Sequence, residues 1–254
     1  MFSYKAIYVI VLREFKRFFR QRGRLIVSVA RPLLWLFIVG SGFTTLIDVT
    51  AGAHYIQFIL PGIVGMTILF SSIFSTISVV WDREFGFLRE MLVSPVSRVT
   101  IVLGKLISGT ALSVFQGTIL LFIAPFIGLD VGVGDFLTMM VLMFIVALSI
   151  TSLGLFVASF LTSLEGFNVI MNFIVLPMFF LSGALYPIEA LPGPIRAFSF
   201  INPLAYGVDS FKHILLPGQG RLAAELPLTF DIIFVSLFAV AMTVLTGLVF
   251  EKKK

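Results

Sequence analysis

The sequence has few of the residues on which soluble enzymes depend. Its 254 residues include no cysteine and only two histidines, and only 12% are Asp, Glu, Lys or Arg. Without cysteine there is neither a disulfide nor a thiolate site, and His54 and His213 lie too far apart in the chain to suggest a metal pair. No HExxH, GxSxG or GxxxxGK(S/T) motif occurs. We therefore predict no catalytic residue, no metal site and no nucleotide-binding site on this chain.

Hydrophobic residues, in contrast, make up 59% of the chain, and the mean hydropathy is +1.09. Soluble domains are about half apolar and about a quarter charged, so this composition predicts an all-α integral membrane protein. At about 20 residues per span, the chain has room for six transmembrane helices and no appended soluble enzyme. The spans are predicted at residues 25–47, 58–80, 101–127, 136–161, 167–186 and 228–250.

Residues 3–22 have a different pattern, in which apolar side chains recur at helical spacing opposite six Lys and Arg residues. A basic amphipathic helix of this kind lies in the plane of the lipid headgroups. The alternative is the start of a span with flanking charge, which the run of charges from Arg13 to Arg20 disfavours. We expect no cleavable signal peptide, because no small-residue cleavage site follows the first apolar stretch.

The basic residues are distributed unevenly along the chain. Seven precede Leu25, three lie in the 81–99 loop and three end the chain, whereas the opposite side has only Arg196, Lys212 and Arg221. The positive-inside rule therefore predicts that both termini and the 81–99 loop are cytoplasmic, in a plasma (inner) membrane. The net charge of +5 then serves orientation and contact with anionic lipid, and we predict no binding of nucleic acid.

The stretch 172–209 begins as an apolar helix, breaks at Tyr186-Pro187, and stays apolar through a run rich in Pro and Gly. Broken apolar backbone is tolerated near a membrane only where protein buries it or it lines a cavity. We therefore predict an outward-facing re-entrant segment at 187–215. A surface loop with helix-stopping prolines is the alternative.

Polar residues inside the predicted spans are few. On the second span small hydroxyl residues share one face, and two asparagines lie one turn apart on the fifth. Small hydroxyl residues in membrane helices commonly mark close packing, and a polar strip along a translocation path is the second interpretation. The candidate path residues are Thr67, Ser71, Ser75, Asn168 and Asn172.

Two longer motifs carry a family resemblance. The run DREFGFLREMLVSPVSR at 82–98 places mixed charges and an apolar face on a short predicted helix that ends near Pro95. The run LSGALYPIEALPGPIRAFSFINPLAYGVDS begins at Leu181 and combines Ser-Gly, Tyr-Pro, Leu-Pro and Asn-Pro-Leu-x-Tyr pieces in order. With the six spans and the amphipathic helix, they resemble the permease subunits of type-2 ATP-binding-cassette (ABC) exporters over essentially the whole chain.

The resemblance implies a single permease domain, 1–254, that pairs with a second copy of itself. A separate nucleotide-binding subunit would bind ATP and Mg²⁺ and hydrolyse the ATP, and it would dock on a coupling helix within 81–99. The implied path is formed by spans 1, 2 and 5 of both copies and is capped by the re-entrant segment. The implied coupling residues are Asp82, Arg83, Glu84, Gly86, Leu88, Arg89, Met91 and Pro95.

Residues of the re-entrant motif would form an outer gate, namely Ser182, Gly183, Tyr186, Pro187, Pro192, Asn202, Pro203 and Tyr206. The expected function is ATP-driven export of an amphiphilic, lipid-linked or drug-like cargo by alternating access. Two alternatives stay open at this point, a non-transporting structural or assembly protein of an envelope complex and a passive channel. A channel would be expected to show a stronger polar strip through the bilayer.

Overall fold

A computed structural model describes residues 3–44, 55–86, 96–217 and 224–252 of the chain. Within these ranges every regular element is helical, which confirms the predicted all-α class. Two short 3₁₀ turns lie at Ala124–Ile127 and Ile188–Ala190. The α-helices are α1 (Tyr4–Arg20), α2 (Arg22–Thr44), α3 (Tyr55–Glu84), α4 (Arg98–Leu121), α5 (Val133–Phe160), α6 (Leu164–Phe180), α7 (Gly193–Ser199), α8 (Pro203–Leu215) and α9 (Leu228–Lys252).

Five of these helices, α2, α3, α4, α5 and α9, are long and apolar enough to cross a membrane. The predicted fifth span corresponds to α6, which has 17 residues and extends about 25 Å. Its predicted end at residue 186 is wrong. The helix stops at Phe180 and Gly183 follows with a φ of +72°, a left-handed conformation that a helix cannot continue. The total of six spans therefore stays a prediction, because α6 is shorter than the other five helices.

Helices α3 and α5 form the centre of the bundle, and α4, α8 and α9 pack around them. The hydroxyl residues of α3 lie in these contacts. Ser72 Oγ is 3.0 Å from Ser113 Oγ on α4, and Thr76 lies against Gly154 on α5. Close packing, the first interpretation of the hydroxyl face, therefore applies to this part of α3.

Hydrogen bonds define two opposite ends of the bundle. At the α1 end, Arg98 of α4 donates to the carbonyl of Phe250 near the last turn of α9, with an N···O distance of 2.7 Å. At the α8 end, Tyr55 donates to the carbonyl of Leu185 at 2.9 Å, and Gln57 donates to the carbonyl of Ile127 at 3.0 Å. These contacts place the start of α4 beside the end of α9, and the start of α3 beside the turns that follow α4 and α6.

Helix α8 lies deep inside the bundle. A Cβ on Gly207 of α8 would touch Val146 of α5, and Val208 of α8 reaches Gly65 of α3. At 1.5 Å per residue, Gly65 lies about 15 Å from the Tyr55 end of α3. The chain therefore leaves α6, turns at the α8 end, descends through α7 and returns through α8. Helix α8 is largely buried, whereas Ser199 is the only buried residue of α7, so the description as a surface loop does not apply to α8.

The closest backbone approach in this region joins α3 to the turn after α6. An added Cβ on Gly62 would lie 2.3 Å from the carbonyl oxygen of Ala184, so no side chain fits there unless backbone moves. Gly247 in α9 is also inside a helix but has open space around the same position. A comparison of substitutions at Gly62 and Gly247 therefore separates the effect of steric contact on stability from the effect of helix propensity.

We expect Gly62→Ala to destabilise the protein and Gly247→Ala to leave it unchanged or slightly more stable. Both changes gain helix propensity, and only the first forces α3 away from Ala184, at a cost of about 1–3 kcal/mol. Thermal unfolding in detergent, followed by circular dichroism, measures the difference. Equal midpoints for the two variants would contradict the packing described here.

Candidate functional site: the end of α3 and the adjoining cavity

Four charged side chains meet inside the α1 end of the bundle. Arg13 and Glu14 come from α1, Asp82 from the last turn of α3, and Lys105 from α4. The Lys105 ammonium contacts both carboxylates, at 2.7 Å from Glu14, and also bonds Ser78 Oγ at 3.0 Å. Arg13 bonds Asp82 at 2.8 Å and Glu14 at 2.9 Å. We call these four residues the charge cluster.

The charge cluster is neutral and largely removed from solvent. Lys105 is 4% exposed, Asp82 6% and Glu14 8%. Burial by itself raises the pKa of Glu14, but the attraction and hydrogen bonds of Lys105 and Arg13 outweigh it and hold that pKa below its ordinary value. Because each buried charge has a partner, the cluster fixes α1, α3 and α4 relative to one another.

The next two residues of α3 bind two further helices. Arg83 donates to the carbonyls of Ser159 and Leu161, at the end of α5, with an N···O distance of 2.9 Å to Ser159. Glu84 accepts from the backbone amide of Leu164, which begins α6, at 3.1 Å. Together, residues 82–84 attach the end of α3 to α1, α4, α5 and α6.

These contacts correct one sequence prediction. Residues 81–84 were expected to begin a separate coupling helix, but they extend α3, because their side chains find partners on the neighbouring helices. Gly86 follows with a φ of +79°, which suits glycine and turns the chain away from the axis of α3. The predicted contacts Leu88, Arg89, Met91 and Pro95 lie outside the described residues.

Next to the charge cluster, α1, α2, α3 and α4 enclose a cavity of about 390 Å³. Its wall is mainly apolar, with four aromatic side chains, and carries two guanidinium groups. That of Arg17 lies 4.8 Å from the ring centre of Trp81, and that of Arg31 lies 4.0 Å from the ring centre of Phe70. The Arg31 residue is exposed overall, while its guanidinium packs on the Phe70 ring of α3. Volume and lining are those of a small-molecule site.

The candidate path residues divide into two groups. Thr67, Ser71 and Ser75 line the cavity, and Gln116 of α4 donates to Ser71 Oγ at 2.6 Å. Asn168 and Asn172 are exposed on α6, where the Asn172 amide bonds the Asn168 carbonyl at 2.9 Å. The structure brings the first three together and leaves the two asparagines apart from them.

At the α8 end, the predicted gate residues satisfy the backbone where helices break. Tyr186 and Tyr206 donate to the carbonyls of Phe180 and Phe200, at 2.7 and 2.8 Å. Asn202 caps α8 through the amide of Leu204, and its side-chain nitrogen donates to the carbonyl of Met178 at 2.7 Å. The other predicted residues terminate α6 or start helices: Ser182, Gly183, Pro187, Pro192 and Pro203.

The family follows from a comparison of the sequence with known protein families. Residues 5–216 match the family model described as ABC-2 type transporter. The chain belongs to the ABC-2 type transporter family. It is accordingly a multi-pass transmembrane subunit of an ABC transporter, and the family implies that it pairs with an ATP-binding subunit.

Several ABC-2 relatives share most of their length with this chain. The transport permease ycf38 of Cyanophora paradoxa is 27% identical over 242 residues, which are 93% of this chain and 82% of that protein. The inner membrane transport permease YadH of Escherichia coli K12 is 25% identical over 92% of this chain and 90% of its own. Nodulation protein J of Rhizobium meliloti is 29% identical over 74% of this chain and 72% of its own.

Sequence reasoning missed three residues of this ABC-2 permease site. Lys105 lies inside the third predicted span, where a lysine requires a buried counter-ion, and that requirement was the available signal. Glu14 lies among the basic residues of α1 and Arg31 lies inside the first predicted span, and neither is among the predicted site residues.

We expect Lys105→Met to destabilise the ABC-2 permease by about 3 kcal/mol or more, since it leaves two buried carboxylates with Arg13 as their only cationic partner in the cluster. Lys16→Met makes the same change at an exposed position of α1 and is expected to have little effect. Denaturant unfolding of both variants in detergent measures the difference. An unfolding free energy for Lys105→Met within about 0.5 kcal/mol of that for Lys16→Met would show that the cluster does not stabilise the bundle.

Proposed function

We propose that this chain is the membrane half of an ATP-driven exporter that moves an amphiphilic, lipid-linked or drug-like cargo outward. A separate nucleotide-binding subunit hydrolyses ATP, and a second copy of the chain completes the path. The observation that carries the proposal is the cavity, because an apolar wall that includes aromatic rings, guanidinium groups and hydroxyl groups suits a molecule that is apolar with a polar part.

Contacts at the end of α3 support coupling to an ATPase. The stretch 87–95 leaves α3 just after the charge cluster and rejoins the described chain before Arg98, which is bonded to α9. Both flanks are therefore attached to several helices. A subunit that displaces this stretch moves the attached helix ends as a unit, which is how nucleotide-driven closure reaches a distant path.

The depth of α8 supports a re-entrant segment. Helices α7 and α8 together contain 20 residues and neither is long enough to span, yet α8 reaches about 15 Å into the bundle. Side-chain hydrogen bonds from Tyr186, Asn202 and Tyr206 satisfy its broken backbone, as a non-spanning segment in a membrane requires. With the positive-inside rule, the α8 end faces outward and the α1 end faces the cytoplasm.

The exposed face of α2 supports pairing with a second copy. Only 17% of the apolar part of this helix is buried within one chain, and Arg31 lies beside a groove on it. Covering this face with the same helix of a partner would place the two cavities near a common axis. The exposed apolar side chains on the face are Ile26, Val27, Leu34, Phe37 and Ile38.

We expect the chain, purified from its native membrane in mild detergent, to retain a stoichiometric soluble subunit with a phosphate-binding loop. ATP hydrolysis by that complex should fall about tenfold in Arg89→Glu, because the change reverses a charge in the stretch proposed to dock on the ATPase. Glu189→Arg reverses an exposed charge at the α8 end and is expected to keep full activity.

An absence of any ATPase from the purified protein would favour the structural or assembly alternative. Full activity of Arg89→Glu in an intact complex would place the docking surface elsewhere on the chain. The interpretation of both outcomes requires that the two variants reach the membrane in equal amounts. Immunoblotting of membrane fractions verifies this.

We further expect Ser71→Phe to reduce cargo transport by about tenfold, equivalent to about 1.4 kcal/mol of lost binding, because the added ring occupies the cavity. Thr138→Phe adds a ring at an exposed position of α5 outside the cavity and is the matched control. Uptake of a fluorescent amphiphile into inverted membrane vesicles measures transport. Unchanged uptake in Ser71→Phe, with normal complex assembly, would remove the cavity from the path.

A further inference from the structure

A second group of titratable side chains lies at the α8 end, far from the charge cluster. Asp209 and His213 are one turn apart on α8, and Asp231 lies in the first turn of α9. One ligand atom of each lies within 4.8 Å of the others, and His213 Nε2 is 3.9 Å from Asp231 Oδ2. None of the contacts described above for coupling or for the cavity uses these three residues.

Asp231 is the unusual member of this group. Its side chain is 0% exposed, and neither carboxylate oxygen has a hydrogen-bond partner among the residues that the structure describes. Acidic residues in the first turn of a helix commonly accept from backbone amides, but here neither oxygen does so. A carboxylate buried without partners is strongly unfavourable, so another species is needed to balance it.

Protonation alone does not remove this cost. A protonated Asp231 would present a hydroxyl group that needs an acceptor, and no acceptor lies within hydrogen-bond distance of either oxygen in the described ranges. Lys212 is close enough to interact electrostatically, but within the described chain its ammonium forms no ion pair within 4.0 Å. A cation between the three side chains would bind one Asp231 oxygen directly and balance the charge of the carboxylate.

The surrounding charge also favours a cation. Asp209, Asp231 and Glu225 carry three negative charges in their ionised forms and Lys212 carries one positive charge, so two negative charges are left for one divalent ion. Glu225 is held in place because its carboxylate accepts from the amide of Ile188 at 2.7 Å. A cavity of about 60 Å³ lies against Asp209 and Glu225 and is large enough for a water molecule on that side of Asp209.

We propose that Asp209, His213 and Asp231 form a binding site for a divalent transition-metal ion, with Zn²⁺ as the best-matched candidate. One imidazole and two carboxylates are ligands that Zn²⁺ accepts at about 2.0–2.2 Å, whereas Mg²⁺ and Ca²⁺ favour sites made of oxygen alone. Two ligands of one ion can then lie no more than about 4.4 Å apart. The 3.9 Å separation of His213 and Asp231 meets this limit, and the two separations that involve Asp209, both within 4.8 Å, need a shift of at most a few tenths of an ångström.

Neighbouring groups would orient two of the ligands. The Asp209 carboxylate accepts from the amides of Glu225 and Leu226 at 2.8 to 3.1 Å, which fixes its plane and leaves lone pairs for an ion. His213 Nε2 lies 2.7 Å from the Leu226 carbonyl. On metal binding this hydrogen bond is exchanged for a metal bond, and the imidazole proton resides on Nδ1.

The bound ion would join α8 to α9. Helix α8 is the deepest part of the proposed re-entrant segment, and α9 is the last span. Zn²⁺ is therefore expected to stabilise the position of α8 inside the bundle and to raise the thermal midpoint of the whole protein.

The test titrates the purified, chelator-treated chain with Zn²⁺ in competition with a fluorescent chelator. We expect one Zn²⁺ per chain and a higher unfolding temperature when it is bound. Asp231→Asn and His213→Gln should each weaken binding about tenfold or more and abolish the thermal shift. Asp130→Asn, which removes an exposed carboxylate outside the site, should bind as the unchanged chain does.

Failure to bind stoichiometric Zn²⁺, or binding that persists in both His213→Gln and Asp231→Asn, would overturn the proposal. Gel filtration and circular dichroism establish that each variant is folded. If Asp231→Asn does not fold, His213→Gln decides, because the His213 side chain is partly exposed. None of these outcomes depends on ATPase activity or cargo, so the site stands or fails separately from the proposed exporter function.

Discussion

A charged side chain inside this protein is tolerated only where an opposite charge meets it, and the α1 end is built on that constraint. Lys105 would be prohibitively unfavourable in an apolar span without Glu14 and Asp82. Because these partners come from α1 and α3, satisfying one lysine also fixes three helices. Arg83 and Glu84 extend the same arrangement to α5 and α6, so the position of α3 follows from polar contacts at its end as much as from its apolar packing.

At the α8 end, the groups that need partners are the polar groups of the backbone. Where the chain breaks after Phe180, carbonyls and amides lose their helical partners, and the side chains of Tyr186, Asn202 and Tyr206 replace them. Aromatic and amide residues in the motif thus have a structural role whether or not they also form a gate. Asp231 is the exception at this end, since its buried carboxylate has no such replacement within the described chain.

Composition and periodicity predicted the helical class and the approximate position of each long helix, because hydrophobic patterns extend over many residues. They failed where long-range contacts decide the outcome. Asp82 is 23 residues from Lys105 and 68 from Glu14, and only the relative register of α1, α3 and α4 brings the three together. The extension of α3 through residues 81–84 and the early end of α6 have the same origin. The burial of Asp231 was equally hidden, since its sequence position suggested only the end of a span.

The charge cluster and the cavity are formed by overlapping but different sets of helices. Four helices, α1 to α4, line the cavity, but α2 contributes none of the four cluster charges. Helices α1, α3 and α4 are therefore joined to one another at the end where the proposed ATPase docks, whereas α2 meets this group mainly through side-chain packing such as Arg31 on Phe70. In the proposed cycle, a displacement of residues 87–95 moves the joined helices together. The cavity then changes shape along its boundary with α2. The outer face of this same helix is the proposed contact with a second copy of the chain.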